Sequence, residues 1–134
     1  MKIIKIFVPI FLTFVLIYSL SVPAIATAEE INTKVLRLHI LANSNSSYDQ
    51  NIKLGLRDYF LEETRCLFTA DNINDNIEIA KDNLQEIENI CNNYLTKYNL
   101  SASVKVDKEF FETRVYDDYT LPAGVYNAII ITIG

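Results

Sequence analysis

VLRLHILANSNSSYDQNIKLGLRD, residues 35–58, changes its period in mid-course and so decides the fold. From Val35 to Ala42 the side chains alternate. Leu36, Leu38, Ile40 and Ala42 share one face, and Val35, Arg37, His39 and Leu41 share the other. This predicts a strand with one dry face and one mixed face. Asn43 to Ser47 is a run of short polar side chains that bond to nearby backbone, so the strand ends there. Ser47 and Gln50 have the spacing of a capping box, with Asp49 in the first turn where a negative charge suits the helix dipole. The helix that follows, to about Leu67, carries Ile52, Leu56, Tyr59, Phe60 and Leu67 on one stripe. Leu54, Leu61 and Phe68 form a second stripe on nearly the opposite side, which predicts cover on two sides. Gly55 lies between the stripes and costs about 1 kcal/mol against alanine in a helix interior, so close backbone approach is expected there.

Working outward, a short turn at Thr69 to Asn72 leads to one long stripe. Ile73, Ile77, Ala80, Leu84, Ile87, Cys91, Tyr94, Leu95 and Tyr98 predict a single helix of about seven turns. Ser103 to Tyr116 has a strand-like composition, with alternation at Val104, Val106 and Phe110. Asp117 to Gly124 reads as a turn, and Val125 to Ile133 as a strand apolar on both faces, hence central or covered twice. The order strand, helix, helix, strand, strand predicts an α+β fold: a small sheet of about three strands with a two-helix hairpin packed on it. Upstream, Lys2 and Lys5, the uncharged run from Ile6 and the small residues Ala24 to Ala28 have the layout of a secretory leader. Residues 1–28 are thus read as a signal peptide, or a membrane anchor if left uncleaved, and residues 29–134 as one domain of about 105 residues, enough for a single core.

The net charge of −5 repels phosphate backbones, so nucleic acid is not an expected partner. His39 is the only histidine, and no second histidine or cysteine pair lies at ligand spacing. No metal, cofactor or small-molecule substrate is therefore expected. A hydrolase with His39 as base, Asp49 as orienter and Ser44 or Ser46 as nucleophile is the alternative reading. The sequence has neither a nucleophile elbow nor a glycine-rich loop to support it. Cys66 and Cys91 are the only thiols. In an antiparallel hairpin they would lie roughly 27 Å apart along the helix axis, against the ~7 Å that a disulfide tolerates, so both are expected to be reduced. The second helix presents carboxylates rather than lysines, the wrong sign for anionic lipid, which leaves membrane contact to the leader or a partner.

Arg37-Leu-His-Ile-Leu-Ala-Asn-Ser44, then Ser46, Asp49-Gln50, Lys53-Leu54 and Arg57-Asp58, resemble the stage II sporulation protein R family. Phe111-Glu-Thr-Arg-Val-Tyr116, Leu121-Pro-Ala-Gly124, Tyr126, Ala128 and Ile133-Gly134 extend the resemblance. Glu112 and Asn45 are mild departures, where the family commonly has proline and aspartate. The family also continues past this glycine into a glycine-rich piece and a tail with tryptophan and cysteine, so this chain is expected to lack that cover. The resemblance implies a signalling protein without catalysis. It would be exported from the forespore into the space between the sporulation membranes, to activate a membrane-embedded aspartic peptidase that processes the precursor of sigma-E. Arg37, His39, Asn43, Ser44, Asp49, Gln50, Lys53, Arg57 and Asp58 are the candidate partner-binding residues. For Asn43, Ser44, Asp49, Gln50 and Arg57 a role in local turn, cap or ion-pair structure is the alternative.

Overall fold

A hydrophobic strand buried on both faces needs neighbours on either side, and the last strand of the chain has them. The computed structural model describes residues 31 and 33–134; the leader assigned to residues 1–28 lies outside them. The elements are β1 (Leu36–Leu41), α1 (Ser47–Glu63), α2 (Ile73–Asp82), α3 (Leu84–Leu95), a 3-10 turn (Thr96–Tyr98), β2 (Ala102–Phe111), β3 (Arg114–Val115), β4 (Thr120–Leu121) and β5 (Gly124–Ile133). The main sheet has the order β1-β5-β2, with β1 parallel and β2 antiparallel to the central β5, while β3 and β4 pair in a small ribbon. The fold is α+β, as the sequence predicts.

Register explains the burial. Leu38 and Val106 flank Ile129, and Ile40 and Val104 flank Ile131, placing the alternate apolar residues of all three strands on one face. That face packs against Ile52, Leu56 and Phe60 of α1, Ala80 of α2, and Ile87, Cys91 and Leu95 of α3. Leu56, Ile87 and Leu95 are wholly removed from water, each contributing about 1.5–3 kcal/mol. On the sheet's other face Tyr126, Ala128 and Ile130 of β5 are also buried. Arg37 and Phe111 close over Tyr126, whose hydroxyl donates to the Pro122 carbonyl.

Three details differ from the sequence reading. The long helix is two: at Asn83 the backbone leaves helical angles (φ −115°, ψ 21°), and its side-chain amide joins its backbone N–H on the Ile79 carbonyl. The first helix ends at Glu63 rather than near Leu67, where the Thr64 hydroxyl takes the Phe60 carbonyl. Of its second stripe, Leu54 and Leu61 are 46% and 53% exposed, while Phe68, beyond the helix end, packs against the core. Gly55 is a site of close approach as expected: a Cβ there would run into the Tyr94 hydroxyl of α3. Both cysteines are free, with Cys66 exposed and Cys91 buried in the core.

Candidate functional site

The pleat of β1 sends Arg37 and His39 to the face away from the helices, where the register places β5 and then β2 beside them. His39 Nδ1 lies 2.5 Å from Glu109 Oε2 of β2, with each side chain about one-third exposed. The imidazole meets the Phe111 ring edge-on at 5.6 Å. The Arg37 guanidinium lies over Phe111 at 4.0 Å and Tyr126 at 5.0 Å, while its Nη1 is buried without a hydrogen-bond partner. Stacking on two rings holds the guanidinium plane in place, at the cost of one desolvated N–H without a partner. The result is a compact patch on the face opposite the helical core, in which a histidine–carboxylate pair sits beside an aromatic-mounted arginine.

The remaining candidates fall into two further groups. In the turn, Ser44 Oγ donates to Asp49 Oδ2 and lies 3.0 Å from Ser46 Oγ, and the Gln50 amide donates to the Ser44 carbonyl. The helix cap is Ser46, which accepts from the Asp49 backbone N–H at 3.1 Å, and not Ser47. With Ser46 as cap, Asp49 takes the third helical position, where its carboxylate faces the orphan amides. The Asn43 side-chain oxygen lies 2.6 Å from where a Cβ on Gly134 would be, too close for one, and Gly134 has φ +127°, a conformation glycine adopts most readily. On α1, Lys53 is half-buried, and exposed Arg57 makes two hydrogen bonds to its neighbour Asp58. Asp58 also bears on Tyr94. That phenol is pushed up to about 12, first by burial, then by its hydrogen bond with Tyr98 and the Tyr98 charge, and last by the Asp58 charge.

The structure therefore brings Arg37 and His39 together with residues that the sequence did not single out, namely Glu109, Phe111 and Tyr126. Alternation along β2 puts Glu109 and Phe111 on one face, but only the pairing through β5 carries them to β1. The triad weighed for a hydrolase is not assembled: the carboxylate at His39 is Glu109, while Asp49 holds Ser44. Among the described residues no three His, Cys, Asp or Glu side chains gather in a way that could hold a metal ion, and no helix is long and apolar enough to cross a membrane.

Residues 32–134 match the family model for stage II sporulation protein R. The chain belongs to that family. The stage II sporulation protein R of Bacillus subtilis (strain 168) is 37% identical over 107 residues, covering 78% of this chain and 48% of that protein. This family member thus spans about half the length of the curated relative it matches. No solved structure matches it.

Proposed function

We propose that this chain is a non-catalytic sporulation signal, exported by the forespore, which activates the membrane-embedded aspartic peptidase that shortens pro-sigma-E. Family membership across the whole described domain carries the reading. The patch around Arg37 and His39 supports it, because a solvent-reached histidine–carboxylate pair beside a ring-mounted guanidinium suits recognition of a polar partner surface. Arg37, His39 and Glu109 are the contacts, with Phe111 and Tyr126 as their platform. Ser44, Ser46, Asp49 and Gln50 in the turn, and Arg57 and Asp58 on α1, have local partners and shape the adjoining edge.

Co-expression of the chain with the peptidase and pro-sigma-E, in a host lacking all three, tests the proposal. Shortening of the precursor that requires both the chain and the peptidase's own aspartates is the expected result. An exported, folded chain that leaves the precursor intact defeats it. Shortening that persists when those aspartates are replaced would place the chemistry in this chain and favour the hydrolase reading.

A further inference from the structure

Strands β2 and β5 run on together past the part of the sheet that the helices pack against. The last apolar pair in the core is Val106 and Ile129. Two rows further along the same face Phe110 stands opposite Val125, and both are mostly exposed. Beyond them the chain pairs again as the β3–β4 ribbon, at whose base the Thr113 hydroxyl accepts the Ala123 N–H at 3.1 Å. The ribbon closes where the Tyr116 N–H donates to the Tyr119 carbonyl at 2.8 Å, and the two rings stack at 4.8 Å. This arm, residues 110–125, carries five of the nine exposed large hydrophobic side chains among the described residues: Phe110, Val115, Tyr116, Tyr119 and Val125. Scattered single exposures are ordinary, whereas a concentration of this kind marks a contact surface.

Charge narrows the occupant. Asp117 and Asp118 form the turn between the stacked rings, and Glu112 lies at the base of the ribbon. All three are exposed, and among the described residues none of their carboxylates has a hydrogen bond or an ion pair. Arg114 is the only cation in the ribbon. An aromatic face beside unpaired carboxylates attracts a cation twice over, through the ring quadrupole and through charge. A lysine or arginine side chain fits both, since its stem is apolar and only its head is charged. An anionic lipid surface fits less well, because the two aspartates at the tip would meet it first. A second copy of this chain would bring the same acidic tip and the same net charge of −5.

We propose that the arm is a docking surface for a basic segment of a partner protein. Tyr116, Tyr119, Asp117 and Asp118 take a lysine or arginine side chain, and Val115, Phe110 and Val125 take the apolar residues beside it. The rings and apolar side chains supply contact area, and the carboxylates select for positive charge.

The test uses the full chain and a fluorescein-labelled eight-residue peptide of leucine, serine and two lysines, followed by fluorescence anisotropy. Saturable binding is expected, weaker by about tenfold or more when both lysines are replaced by glutamine. Asp117→Asn combined with Asp118→Asn, and separately Tyr119→Ser, should weaken binding of the lysine peptide to a similar degree. Tyr48→Ser, at a comparably exposed tyrosine on α1, should leave it unchanged, and matching urea unfolding of the variants separates docking from folding. Absence of saturable binding, equal binding of the glutamine peptide, or losses in the arm variants no greater than in Tyr48→Ser overturns the proposal. Two other occupants would overturn it as well: a dimer of the free chain abolished by Tyr119→Ser, or flotation of the chain with phosphatidylcholine vesicles lost in the same variant. Only the chain and the peptides are present in the binding assay, so its outcome is independent of whether the peptidase is activated.

Discussion

Replacing Arg37 by methionine separates recognition from architecture. Methionine keeps a stem of similar length over Phe111 and Tyr126 and removes only the guanidinium. Two terms then oppose each other. Loss of the two ring contacts, at 4.0 and 5.0 Å, costs about 0.5–1 kcal/mol each at a partly exposed position. Removal of the buried, unpaired Nη1 returns about 1–3 kcal/mol, the penalty for a desolvated donor without a partner. The variant should therefore lie between about 1 kcal/mol less and about 2 kcal/mol more stable than the parent. In urea unfolding this is a midpoint shift between about 1 M down and about 2 M up at a slope of about 1 kcal/mol per molar, and less at steeper slopes. Near-ultraviolet circular dichroism of the eight tyrosines provides the signal, since the chain has no tryptophan. Arg37→Ala removes the stem as well and should be less stable by roughly a further 1–2 kcal/mol, at about 0.8 kcal/mol per buried methylene. Both variants should lose pro-sigma-E shortening in the co-expression assay. A methionine variant destabilised by more than about 2 kcal/mol would show the guanidinium to be an architectural element. One that still supports full shortening would remove Arg37 from the contact surface.

Other outcomes follow from the packing. Gly55→Ala should destabilise by about 1–3 kcal/mol despite better helix propensity, because the new methyl meets the Tyr94 hydroxyl; adding Tyr94→Phe should recover part of the loss in the same urea titration. In the native protein one thiol should react with a maleimide at pH 8, that of exposed Cys66. Cys91 should react only after unfolding, since burial, reinforced by the Glu88 charge, pushes its thiol up to about 12. Ser46→Ala should cost about 0.5–2 kcal/mol in thermal or urea unfolding as a lost helix cap, whereas Ser47→Ala should cost much less. Equal losses at the two serines would refute the cap assignment.

The parts of the fold legible in the sequence are those set by period and composition. Alternation from Leu36 to Ile40 marks β1 and its dry face, and the unbroken run ending at Ile133 marks the central strand, because a strand buried on both faces has no polar side to show. The break at Asn83 is not legible, since the apolar stripe continues straight across it and only the backbone angles of one residue depart from the helix. The cap misses by one residue because Ser44, Ser46 and Ser47 are equally good candidates until the turn geometry chooses among them. The site is half visible. Arg37 and His39 stand out as charges on a strand that the core cannot absorb, but Glu109, Phe111 and Tyr126 join them through a register that no local pattern encodes.

The central place of β5 has a kinetic consequence. β1 and β2 never pair with each other, so neither has a ladder until β5 is made, and Leu36 must wait for Asn127. Helices form early and locally, whereas closing contacts of such long sequence separation is slow. A nascent chain halted before Gly124 could have its helices and the small β3–β4 ribbon, but β1 and β2 would be orphan strands and the main sheet would be missing until the final strand was made.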